Sequence, residues 1–158
     1  MSNKFILKSI LLISIFSLLV AYFIEHILNY KPCNLCILER IPYFVSAIVI
    51  VLNLYSKRFE KFTFGILFII FATGAIISFY HFGIEQGFFK ESFVCMSDNK
   101  INNLDKENLL KSLQKTPVSC KQVDFKLLGL SLATINTFLS IVLSVISFKT
   151  FFNYEKNR

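Results

Sequence analysis

The chain has 158 residues, is 54% hydrophobic and only 17% charged, and carries a formal net charge of +7. Soluble domains run at about 45–50% apolar and about 25% charged, so the composition excludes an ordinary water-soluble globule and points to a bilayer. The positive charge sits at the ends of apolar segments, with no arginine-rich arm and no nucleic-acid module, so it reads as orientation in a membrane and no nucleic-acid partner is expected.

Residues 5–27 are almost continuously apolar, and roughly 20 residues at about 1.5 Å each cross the hydrocarbon core. Lys8 interrupts the run but can snorkel to the near interface. The run ends in Glu25-His26-Ile27 with no small-x-small cleavage site, so it predicts a retained span and not a signal peptide. A short loop, 28–36, leads to a second span at 37–55, whose first turn holds Glu39 and Arg40. The polar break Lys57, Arg58, Glu60 and Lys61 separates it from a third span at 62–82. A long polar loop, 83–126, precedes a fourth span at 127–148 and a basic tail. Within that loop, Asn102 to Asp105 can cap a short helix with an apolar stripe (Ile101, Leu104, Leu109, Leu110, Leu113) that Pro117 would end. Such a helix would lie in the bilayer interface or pack on the other outer loop. The predicted fold is an all-α membrane protein, a four-transmembrane-helix bundle in a single domain, 1–158.

Lys4, Lys8, Lys57, Arg58, Lys61, Lys149, Lys156 and Arg158 flank one side of these spans, whereas loop 28–36 offers only Lys31. The positive-inside rule therefore places both termini in the cytoplasm. The lysines of the long loop are interleaved with acidic residues, and long loops weigh less in the rule. All four cysteines then face the outer, oxidising compartment, Cys33 and Cys36 in the first loop and Cys95 and Cys120 in the second.

Cys33-x-x-Cys36 admits redox, metal and structural readings. A c-type haem site needs His directly after the second cysteine, and Ile37 is there. A zinc site needs two more ligands; Cys95 and Cys120 could supply them but form no second close pair. A disulfide across so small a loop stabilises little by loop-closure entropy, which leaves redox chemistry as the favoured reading. Cys36 opens the second span, where helix N–H groups favour thiolate over thiol. Arg40 lies one turn on, a candidate stabiliser of that thiolate and otherwise a cation facing lipid phosphate. Glu39 pairs locally or faces water. Cys95 and Cys120, if bonded, staple a long loop, or offer an accessible disulfide that an outside thiolate can attack.

Pro32-Cys33-Asn34-Leu35-Cys36-Ile37-Leu38-Glu39-Arg40, Tyr80-His81-Phe82-Gly83-Ile84-Glu85 and the segment from Gly129 to Asn136 together resemble the DsbB family of bacterial inner-membrane disulfide-bond formation proteins: the first is similar to its Cys-x-Leu-Cys-x-x-Glu/Gln-Arg signature, the second to its Tyr-His-x-Gly-x-Glu segment and the third to the opening of its last span. One departure is Gln86, where many relatives carry Trp; the chain has no Trp at all. The resemblance implies disulfides Cys33–Cys36 and Cys95–Cys120, both catalytic. It implies a DsbA-like periplasmic thioredoxin-fold oxidase as partner, attacking Cys95, and Cys120 exchanging with Cys33. Cys36 would face a bound ubiquinone or menaquinone drawn from the membrane pool, with Arg40 stabilising the thiolate and the quinone oxyanion. His81 is a secondary candidate for quinone contact or proton handling. A potential above the roughly −120 mV of a strong periplasmic oxidant suits a quinone and not a nicotinamide, and no Gly-rich dinucleotide loop is present. No resident metal is implied. The competing expectation is a structural or metal-binding membrane protein whose cysteines staple its loops.

Overall fold

A computed structural model describes residues 3–56, 60–90, 95, 120, 121, 126, 127 and 129–154. The capped helix expected near residues 102–113 lies outside them. Helix α1 spans Asn3–His26, α2 Asn34–Leu38, α3 Ile41–Ser56 and α4 Glu60–Glu85; strands β1 (Lys126–Leu127) and β2 (Leu130–Ser131) precede α5, Leu132–Phe152. Among the described residues four stretches, with α2 and α3 taken together, are long and apolar enough to cross a membrane.

The second span is not one unbroken helix. Glu39 and Arg40 form a turn between α2 and α3. The Arg40 N–H donates to Ile37 O at 3.1 Å, and the Phe44 N–H to Arg40 O at 3.1 Å. Pro42 follows in the first turn of α3, where a missing N–H costs nothing. The fourth span begins at Leu132, later than the expected 127. Lys126 and Leu127 instead pair antiparallel with Ser131 and Leu130. Gly129, at φ +83°, turns the chain between them. Ser131 then caps α5, its Oγ accepting the Thr134 N–H at 3.2 Å.

Helices α4 and α5 pack along most of their lengths, α1 lies on α3, and α3 on α4. Leu7, Ile10, Tyr43, Ile50, Phe64, Leu67, Phe71 and Leu143 form the buried seam. Phe5, Leu12, Leu52, Phe62, Ile69, Ile76 and Phe138 point outward, as helices bathed in hydrocarbon require. With lipid as apolar as leucine, the helices are held by packing and by polar side chains bonded across their interfaces. Ser14 meets Ser46 at 3.1 Å, and Asn53 Nδ2 donates to Thr63 Oγ1 at 2.8 Å. After α4 the chain folds back, so that Phe89 lies over Gly83 and stacks on Tyr80 with ring centroids 5.5 Å apart. A Cβ on Gly83 would come within 2.1 Å of that Phe89 ring.

Candidate active site

The end of the bundle formed by α2, the close of α4 and the start of α5 gathers nearly every polar group the sequence singled out. Cys33 is the N-cap of α2, and its Sγ accepts the Cys36 N–H at 3.2 Å. The two sulfurs stand 2.8 Å apart, unbonded. Across the interface, His81 Nε2 approaches Cys33 Sγ to 3.6 Å. The other ring nitrogen, Nδ1, donates to Glu39 Oε1 at 2.7 Å. Glu39 Oε2 accepts from Asn136 Nδ2 at 2.8 Å, an amide that also donates to Ser78 Oγ at 2.7 Å. Asn136 Oδ1 accepts from the Tyr43 hydroxyl at 2.5 Å, and that hydroxyl also meets Ser140 Oγ at 3.0 Å. One chain of hydrogen bonds thus ties α2, α3, α4 and α5 together, and its charged member is only 7% exposed.

This geometry corrects three expectations. Glu39 does not face water: it is buried between His81 and Asn136, because a carboxylate with two donors within reach replaces its hydration there. The helix N–H support expected at Cys36 falls on Cys33 instead. Cys33 caps the helix while Cys36 is already within it, so the N–H points at Cys33. The Cys36 hydrogen bond is the largest influence that holds the Cys33 thiol down, to about 4 from an ordinary 9.0; burial opposes it, and His81 and the Cys36 N–H add to it. The third correction concerns access. Cys95 and Cys120 are bonded to each other, and both are buried, in one cluster with Cys33, Leu35 and Ile84. The apolar surfaces of Leu35 and Ile84 provide the seat that an exposed loop would have lacked.

Arg40 is set apart from the sulfurs. Its Nη1 donates to Glu25 Oε2 of α1 at 2.5 Å, and its guanidinium lies 5.8 Å above the Tyr22 ring. It nevertheless lines the same cavity as Cys33, Cys36, Glu39 and His81. This cavity, of about 540 Å³, opens between α1 and α5, with Ile13, Phe16, Val20, Ile135 and Leu139 along its walls. Its volume falls in the range of roughly 300–1,000 Å³ usual for small-molecule sites. Sequence reasoning missed Glu25, Tyr43, Ser78 and the partnership of Glu39 with Asn136. The available signal was that an ionisable or amide side chain within a membrane span is a functional candidate by default.

A family model for disulfide bond formation protein DsbB matches residues 3–150. The chain belongs to the DsbB family. Among its relatives is a protein of Rickettsia prowazekii (strain Madrid E), the uncharacterized protein RP370, 32% identical over 135 residues that cover 84% of this chain and 78% of that one. As a DsbB family member with four helices able to span a bilayer, this is a multi-pass membrane protein of disulfide-bond formation, a disulfide oxidoreductase.

Proposed function

We propose that the protein reoxidises a periplasmic thioredoxin-fold dithiol oxidase and delivers the electrons to a membrane quinone, from the bacterial inner membrane, with both cysteine loops in the periplasm and both termini in the cytoplasm. The observation that supports this reading best is a juxtaposition. Cys33 shares a buried cluster with the Cys95–Cys120 disulfide, Cys36 packs against that cluster, and both Cys33 and Cys36 line an apolar cavity between helices. The pair is a junction between a disulfide and a hydrophobic chamber.

A quinone fits that chamber on the chemistry of its walls. One end is polar, with Cys36, Arg40, Glu39 and His81; the rest is aliphatic and aromatic, as an isoprenoid tail requires. When bound, the quinone supplies the two-electron acceptor. Arg40 and Cys36 are the residues that would hold its polar end.

The exchange steps belong to the protein's own sulfurs. A partner thiolate attacks Cys95; the Cys95–Cys120 bond breaks and Cys120 leaves as thiolate. The partner's second thiol displaces Cys95, and the partner departs oxidised. Cys120 then attacks Cys33 of a Cys33–Cys36 disulfide, and Cys36 leaves as thiolate. While Cys33 is held in that mixed disulfide it can carry no charge, so the negative charge falls to Cys36, on the cavity wall. Attack of Cys95 on Cys120 releases Cys33, restores the Cys95–Cys120 bond and leaves the inner pair reduced. His81, oriented by Glu39, is placed to take or return a proton at Cys33 Sγ.

The test is direct. Purified protein given the reduced partner is expected to reduce ubiquinone or menaquinone, and Cys36→Ser to abolish that turnover. Undiminished turnover in the variant would sink the assignment. Cys120→Ser is expected to trap the partner on Cys95 as a mixed disulfide.

A further inference from the structure

Two thiols and an imidazole converge at the head of α2. Cys33 Sγ, Cys36 Sγ and His81 Nε2 all lie within 4.8 Å of one another. Zinc takes thiolate at about 2.3 Å and imidazole nitrogen at about 2.0–2.1 Å in a tetrahedron, which sets sulfur and nitrogen ligands about 3.6 Å apart. Cys33 Sγ and His81 Nε2 are already 3.6 Å apart. The sulfurs, at 2.8 Å, must separate by about 1 Å to reach tetrahedral spacing. Cys36, only partly buried and on the cavity wall, has room to turn.

Two independent features support a ligand there. Glu39 Oε1 accepts from His81 Nδ1, the carboxylate–histidine arrangement that fixes the tautomer and aims the other nitrogen at a metal. The Glu85 carboxylate is 6% exposed, with Oε1 3.8 Å from the same His81 Nε2. Among the described residues its Oε2 is buried without a partner at hydrogen-bond distance, although the Ser131 hydroxyl acts on the carboxylate.

We infer that the reduced pair is a binding site for a thiophilic divalent cation of the zinc and cadmium type, held by Cys33, Cys36 and His81. Binding moves no electrons: two metal–sulfur bonds and one metal–nitrogen bond form in place of water on the ion, and the two thiols and His81 Nε2 give up to solvent whatever protons they still hold. Thiolates held in this way are withdrawn from disulfide exchange, so the cation traps the protein in its reduced form. The disulfide form, whose sulfurs are joined, has no such site. The inference needs only the reduced pair, and so stands or falls apart from the quinone.

The probe is Co²⁺, with Cd²⁺ as competitor, added to full-length protein in detergent. A Cys95→Ser/Cys120→Ser background leaves one thiol pair, and helix content by circular dichroism checks its fold. After reduction, one equivalent of Co²⁺ is expected to give thiolate charge-transfer bands and the intense visible bands of a tetrahedral ion, and Cd²⁺ to abolish them. The same protein with Cys33 and Cys36 oxidised to a disulfide is expected to give neither, a comparison that needs no further variant. Cys36→Ser is expected to lose the site. His81→Asn is expected to weaken Co²⁺ binding at least tenfold, and Glu39→Gln by about 10–100-fold, the usual cost of a lost outer-shell partner. Absence of the bands in the reduced protein, or equal bands in the disulfide form, overturns the inference. So does unchanged affinity in His81→Asn.

Discussion

Replacing Glu39 by Gln removes one charge from the centre of the site while keeping its shape. The carboxylate accepts two hydrogen bonds, from His81 Nδ1–H at 2.7 Å and from Asn136 Nδ2–H at 2.8 Å. A Gln side chain has one oxygen to offer, so its amide NH2 must face one of those donors. Asn136 cannot turn over to relieve the clash. Its Nδ2 also donates to Ser78 and its Oδ1 accepts from Tyr43. His81 must then either keep an unsatisfied Nδ1–H, at a cost of about 1–3 kcal/mol, or move its proton to Nε2 and accept at Nδ1, which changes what it presents to Cys33. Glu39→Ala loses both bonds to a charged group, at about 1.5–3 kcal/mol each. Thermal unfolding in detergent should therefore rank wild type above Gln and Gln above Ala. Turnover with the reduced partner should fall at least tenfold in Gln, because His81 loses the group that aims it, and general acid–base catalysis contributes about 10²–10⁴ where it operates. A Gln variant with wild-type melting and wild-type turnover would show that Glu39 is a solvated side chain and that the network has no consequence.

Folding lowers the pKa of the Cys33 thiol, so the reduced folded protein binds fewer protons there than its unfolded chain does. Its stability relative to Cys33→Ser should rise with pH between about 4 and about 9 and lose that advantage as pH falls through 4, read from melting of the reduced protein across that range. Arg40 and Glu25 are partly exposed, so a double-mutant cycle of Glu25→Gln and Arg40→Gln should give a coupling of about 0.2–1 kcal/mol. Arg40→Gln should nevertheless raise the KM for quinone, and an unchanged KM would remove Arg40 from the cavity's function. Asn53→Ala, which breaks an interhelical bond to Thr63, should cost on the order of 0.6 kcal/mol, measured by unfolding in detergent.

The four spans were legible because hydrocarbon imposes a length and a composition that no other environment demands of Ile13, Phe71 or Leu143. The break at Glu39–Arg40 and the hairpin before α5 were not, since a local turn of a few residues leaves average hydropathy unchanged. Cys33, Cys36 and His81 were legible as chemistry, but their meeting was not. His81 is 48 positions from Cys33 and Asn136 is 97 from Glu39, and such pairings are settled by which faces of α2, α4 and α5 pack together. For Glu39 the error was to judge it by its neighbours in sequence, where it sits beside Arg40. In space Arg40 pairs with Glu25 and leaves Glu39 to His81.

The Cys95–Cys120 bond, at 5% and 1% exposure of its two residues, is insulated. A small thiol such as glutathione must approach a sulfur along the line of the bond it breaks, and burial of both cysteines restricts that approach. A protein partner of the kind proposed above would be able to spend binding energy on lifting Cys95 out of its seat on Leu35 and Ile84. Burial would then act as a filter on identity, expected to slow small thiols far more than it slows a protein partner. The contrast is measurable as the ratio of reduction rates by glutathione and by the partner. Equal rates per thiolate would mean that the seat offers no protection.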